Sequence, residues 1–117
     1  MRVLRVLREI RDGIIDLAGS KEAHAIEEAI DLDLIKQQTE LCAFGWVCCK
    51  RLVASVLVII MRIQSPSRDA STSERWRKVG LEMEQAERED QDRIFCGALE
   101  FLLDLVNILR IDAANTR

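Results

Sequence analysis

The sequence predicts an all-α protein, a helical bundle of four to five helices, and three observations carry that prediction. Apolar residues at the two ends of the chain recur at alternating spacings of three and four, the period of a helix face. One proline and five glycines punctuate 117 residues, and tyrosine is absent, whereas sandwiches and barrels use more turn residues and more aromatics. Hydrophobic residues make up 49% of the chain and charged residues 32%, a balance that builds one buried core and excludes low-hydrophobicity disorder. Residues 1–117 therefore read as a single helical domain.

The first segment, Arg2 to Ala18, sets Val3, Leu7, Ile10, Ile14 and Leu17 on one stripe. Arg5 with Glu9 and Arg8 with Asp12 sit one turn apart on the wet face. Gly13 weakens the middle, and Gly19 supplies a left-handed stop. Ser20 then reads as the N-cap of a second helix, with Glu22 in its first turn and Ala25, Ile26, Ala29 and Ile30 on its buried side. The stretch from Asp31 to Ile35 either continues that helix or restarts it, with Asp31 or Asp33 as the cap. From about Leu41 to Arg62 the chain is apolar on most faces, which predicts a central helix wrapped by its neighbours. Pro66 ends it, because Ser65 before a proline is pushed out of helical geometry. Ser71 with Glu74 reads as a capping box for a helix over roughly Ser73 to Arg88, with a thin stripe of Trp76, Val79, Met83 and Ala86. The last helix, Ile94 to Ile111, carries Phe95, Leu99, Leu102, Val106 and Leu109 at four-three spacing, widened by Ile94, Ala98, Leu105 and Ile108. This helix and the Leu41–Arg62 helix are expected to form the centre of the bundle.

Several function classes lose support from the residues alone. Seventeen basic against 20 acidic residues give a net charge of −3, so no nucleic-acid partner is expected, since phosphate neutralisation needs a basic excess. The longest apolar run, Leu52 to Met61, is about half a membrane span and is bracketed by Lys50, Arg51 and Arg62. The arginine-rich start is broken by Glu9 and Asp12, unlike a targeting peptide. Cys42, Cys48, Cys49 and Cys96 lack the spacing of a disulfide framework or a zinc site and read as reduced core thiols in a cytoplasmic protein. The single histidine, His24, is the one imidazole that could serve a cysteine nucleophile, and a helix-surface role suits it better. The carboxylates from Glu87 to Asp92, interleaved with Arg88 and Arg93, read as a solvated face. No glycine-rich phosphate loop exists. Arg75, Arg77 and Lys78 beside Trp76 form a basic cluster that Glu74, Glu82 and Glu84 offset. Serines and threonines around Pro66 (Ser65, Ser67, Ser71, Thr72, Ser73) offer phosphate acceptors near Arg68, against the simpler reading of a polar loop. No enzyme, cofactor or metal is expected.

The order of motifs resembles a known family. Ile26-Glu27-Glu28-Ala29-Ile30-Asp31-Leu32-Asp33-Leu34-Ile35-Lys36-Gln37-Gln38 resembles the acidic start and D-x-D-L-[IL]-K-Q stretch of T-complex protein 11 proteins. Pro66-Ser67-Arg68-Asp69 is similar to that family's P-x-R-D turn, and Leu103 to Asn115 to its L-x-L-M-K-x-D-M-A-N stretch. The resemblance runs from about Ala25 to Asn115 and implies a helical, non-enzymatic protein associated with sperm function and with modulation of cyclic-AMP and protein-kinase-A signalling. Family members are several-fold longer, so the chain reads as a piece of a larger helical domain or a shortened relative. The segment from Trp76 to Asp92 has no counterpart in these motifs.

The leading expectation is a protein-interaction or regulatory adaptor with a helical surface for a protein partner. Pro66, Arg68 and Asp69 are the candidate partner-contact residues, against the simpler reading that an Arg–Asp pair after a proline caps a helix and anchors the loop. A second expectation is a helical pocket for a small hydrophobic ligand, lined by Trp46, Cys48 and Cys49. A third is self-association into a homo-oligomer through the wide apolar stripes.

Overall fold

The computed structural model describes residues 2–40, 45–64 and 66–116. It is an all-α bundle: α1 (Arg2–Ala18), α2 (Ser20–Ala29), α3 (Leu32–Glu40), α4 (Trp46–Ile63), α5 (Asp69–Gln85) and α6 (Gln91–Thr116). Counting α2 and α3 as one helix interrupted at Ile30 and Asp31 gives five rods among the described residues. Short 3₁₀ turns, Pro66–Arg68 and Arg88–Asp90, lead into α5 and α6.

The stripe of α1 is buried as its spacing predicts, with Leu7, Ile10 and Ile14 fully covered. Gly13 does more than weaken the helix. A Cβ there would lie 2.5 Å from Val106 Cγ1, so the missing side chain is what lets α1 settle against α6. Gly19, at φ 88°, ends α1 and is also the residue before α2, and its carbonyl accepts from Glu22 at 3.3 Å. Ser20 is thus the first residue of α2 and not its cap: a one-residue joint leaves no room for both a stop and a separate cap. Ile26 and Ile30 are buried, but Ala25 and Ala29, expected beside them, are exposed and line a groove between α2 and α4. The chain restarts after Ile30, and Asp31 is the cap. Its Oδ1 accepts from the Leu34 backbone N–H at 3.0 Å.

Central α6 packs against α1, α4 and α5, and its most extensive partner is α1 rather than α4. Phe95, Leu99, Leu102, Val106 and Leu109 are all buried, as their spacing predicts. The helix runs beyond Ile94 and Ile111 at both ends; Asp92 lies in its first turn, and Asp112 near its end is tied to another helix. Leu52, Val53, Val56, Leu57 and Ile60 make the buried face of α4. Its opposite face is not wrapped, since Val47 is 57% and Val58 49% exposed. The predicted start of this helix at Leu41 lies outside the described residues.

Helix α5 begins at Asp69, four residues ahead of the expected Ser73, so Ser71 and Glu74 sit inside it and form no capping box. The reason is local: the 3₁₀ turn at Pro66 winds directly into the helix. The helix stops at Gln85, where Ala86 turns extended (ψ 125°), short of the expected Arg88.

Candidate functional site

Two features of the α4–α5 hairpin stand out: a polar clasp at its turn and an open groove along its length. At the turn, Gln64 is buried at the C-cap of α4. Its amide Nε2 donates to Asp69 Oδ1 at 2.7 Å, and its Oε1 accepts from the Thr72 hydroxyl at 3.0 Å. A buried side-chain amide would be costly without these partners. Arg68 leaves the same turn and forms a two-pronged bond with Asp112 on α6, Nε to Oδ2 at 3.0 Å and Nη2 to Oδ1 at 2.7 Å. The hydrogen bond and the charge of Arg68 hold the Asp112 carboxyl below its ordinary pKa, and Asp112 raises that of Arg68. Of the candidate contact residues, Arg68 and Asp69 are therefore each engaged within the chain, Arg68 with Asp112 and Asp69 with Gln64, while Pro66 is exposed and opens the turn. Asp112 belongs to the third sequence motif and Arg68 to the second, so the fold joins two segments 44 residues apart.

Beyond the clasp, α4 and α5 separate. They are not among the closely packed helix pairs of the described residues. Between them lies a groove of about 1000 Å³, with Ala54, Trp76, Leu81 and Met83 on its apolar floor and walls. Leu81 is 56% exposed, whereas Met83 is buried against the core. Lys50 and Arg51 stand on the α4 bank, Arg77 and Lys78 on the α5 bank, and Glu84 is the single carboxylate in the lining. Lys50 Nζ reaches Glu84 at 3.5 Å, which ties the far end of the groove. Arg77 pairs with Glu74 one turn away at 2.9 Å. Arg75 turns the other way, to Asp104 on α6 at 2.8 Å, with its guanidinium 5.1 Å from the centre of the Phe101 ring. The basic cluster read from the sequence is thus divided: Arg75 braces α5 on α6, and Arg77 and Lys78 face the groove.

A second groove, about 850 Å³, runs between α2 and α4 past Ala25, Ala29, Val58 and Ile63, with Glu22 and Arg62 at its edges. A third depression of about 470 Å³ is polar and mixed in charge, with Arg8, Arg11, His24, Glu28 and Asp31 among its lining.

The chemistry-bearing residues are placed as follows. Cys49 is buried, and burial first, then Cys48 and Asp92, pushes its pKa up to about 11, the opposite of nucleophile activation. Cys48 and Cys96 are half-buried free thiols, and Cys42 lies outside the described residues. His24 is on the surface and meets Glu28 at 3.0 Å. No group of three or more potential metal ligands occurs among the described residues. None of the three grooves is lined by Trp46, Cys48 or Cys49, the expected pocket residues. Thr72 is buried in the clasp and does not present a phosphate acceptor; Ser67, Ser71 and Ser73 are exposed, and Ser65 lies outside the described residues. No helix of the described residues is long and apolar enough to cross a membrane.

Sequence reasoning singled out Trp76, Arg77 and Lys78 but missed Lys50, Arg51 and Leu81. Lys50 and Arg51 are remote in sequence from the α5 cluster, and only the hairpin brings them to it. Leu81 betrays itself weakly, as an apolar residue off the stripe of its own helix.

The sequence model of the T-complex protein 11 family matches residues 1–117, the whole of the chain, and the chain belongs to that family. No curated protein matches it, and no solved structure does.

Proposed function

From that membership and the open α4–α5 hairpin, we propose that this T-complex protein 11 family member is a non-enzymatic protein-interaction module whose contact surface is the groove between α4 and α5. One observation carries the reading: the apolar lining of this groove includes Leu81, 56% exposed, between helices that carry four cations into it. A groove of this kind suits the helix-in-groove mode of recognition. The turn at Pro66, Arg68 and Asp69 then frames the groove and fixes where α5 starts, and its own side chains are engaged within the chain.

The finer expectation, modulation of cyclic-AMP and protein-kinase-A signalling, is carried by family membership. A cellular kinase-activity reporter tests it: expression of the chain changes the response to a cyclic-AMP stimulus, and the Leu81→Asp variant does not. The groove itself is tested with a photo-crosslinking amino acid at position 81 or at position 58 in the α2–α4 groove. The proposal expects a partner crosslinked from position 81 that binds again as purified protein and loses binding with Leu81→Asp. A partner captured from position 58 alone moves the surface to the other groove.

A further inference from the structure

We infer that the occupant of the α4–α5 groove is an amphipathic helix with an apolar stripe flanked by carboxylates, an inference that rests on the interaction reading above. Charge is the first argument. The chain as a whole is acidic, with a net charge of −3, yet four cationic side chains and one carboxylate line this groove. Lys50 and Arg51 belong to α4 and Arg77 and Lys78 to α5, so both helices bring cations to the groove and an acidic edge on each side of an inserted helix complements them. The Arg77–Glu74 and Lys50–Glu84 pairs are exposed, at 2.9 and 3.5 Å. The Arg77–Glu74 pair, which lies within α5 and ties nothing across the groove, is weak enough to exchange for a partner's carboxylate.

Size and shape give the second argument. The α5 bank runs from Ser73 to Glu84, about three helical turns at roughly 1.5 Å per residue. Ala54, Ser73 and Gly80 are small residues in the lining and leave room for another backbone. The floor of Trp76, Leu81 and Met83 calls for an apolar stripe, which a phosphodiester chain lacks. A bilayer leaflet is flat where this surface is a groove between two helices. An acidic amphipathic helix of a partner protein satisfies floor, walls and field together.

The test uses the full chain against a display library of helical peptides of about 16 residues, with a fixed leucine stripe and flanks drawn from Glu, Lys, Ser and Gln. The inference expects enrichment of glutamate on both flanks. The affinity of an enriched peptide should fall about tenfold in Arg51→Glu/Lys78→Glu and in Leu81→Asp. It should also fall as salt is raised. These are exposed positions, so unchanged helicity and melting midpoint certify each variant as folded. Enrichment of neutral or basic flanks at the same groove overturns the acidic occupant while leaving the groove an interface. No enrichment at all, or binding indifferent to Leu81→Asp, overturns both. Tighter binding of a single-stranded oligonucleotide or an anionic vesicle than of any peptide overturns the inference in favour of that partner class.

Discussion

Two helix seams of this small bundle were built by opposite means. Along α1–α6, Gly13 removes the one side chain that would keep the backbones apart, and Leu7, Ile10, Ile14, Leu102 and Val106 close the interface completely. Along α4–α5, four cations line the space between the helices, and polar contacts tie the seam at its ends, Gln64 with Asp69 and Thr72 at one and Lys50 with Glu84 at the other. The difference teaches where recognition is kept separate from stability. Burial drives the first seam and is nearly complete. The second stays open along its length and is tied by polar contacts near its ends. Mutations in the first seam should therefore cost folding free energy, and mutations in the open part of the second should cost binding.

The strongest blow to the closed seam is Leu102→Ala. Leu102 is fully buried in the helix that touches three others, and truncation should cost about 3 kcal/mol through lost burial and the cavity left behind. Urea denaturation measures it, and a loss below that of an ordinary surface substitution would break the account of α6 as the hub. Gly13→Ala is sharper, because two principles disagree on its sign. Helix propensity alone favours alanine by about 1 kcal/mol. The new methyl group would sit 2.5 Å from Val106 Cγ1, and overpacking of that kind costs about 1–3 kcal/mol. The expected net loss is about 1 kcal/mol. The double variant Gly13→Ala/Val106→Ala should recover part of it, since the clash is removed at its source.

How far these seams could be read in advance differs between them. The stripes of α1 and α6 are periodic, so Leu7, Ile10, Ile14 and Leu102 were legible as core from spacing alone. Gly13 was legible only as a weak helical position, because its value lies in the distance to a residue 93 positions away. Ser20 and the Ser71–Glu74 pair carry the right residue types for caps, yet neighbouring geometry pre-empts them: a one-residue joint at Gly19 in one case, a 3₁₀ turn from Pro66 in the other. Ala25 and Ala29 share the period of Ile26 and Ile30, yet they are exposed and line the groove between α2 and α4. For the candidate site, the turn around Arg68 and Asp69 was marked by Pro66, and the α5 cations by their clustering. The groove was not legible. It arises from how two helices diverge, which no local pattern encodes.

The polar ties of the open seam come next in size. Thr72→Val keeps the shape of a buried side chain but removes the hydroxyl that donates to Gln64 Oε1 at 3.0 Å. The expected loss is about 1 kcal/mol, because the buried amide oxygen is left without that donor. If the groove's spacing depends on this clasp, peptide binding should weaken in the same variant although Thr72 does not line the groove. Unchanged binding with reduced stability would show that the clasp supports folding alone.

The Arg68–Asp112 pair is the smallest of these effects and the one with a pH signature. Both side chains are partly open to solvent, so the pair is screened and adds little to stability. Its direction is still fixed. Asp112 titrates below the ordinary carboxylate value in the folded chain, held there mainly by the hydrogen bond from Arg68. Its contribution is therefore fully present above the unfolded carboxylate pKa and is lost as pH falls through the lower folded value. Urea midpoints of the wild type and Asp112→Asn should differ most at neutral pH and converge in acid. Added salt should narrow the gap at neutral pH and leave the acid values alone. A gap that persists unchanged into acid would mean that shape and neutral hydrogen bonding at Asp112, not charge, tie the end of α6 to the start of α5. The open seam would then be framed by packing after all, and its contrast with α1–α6 would be one of degree.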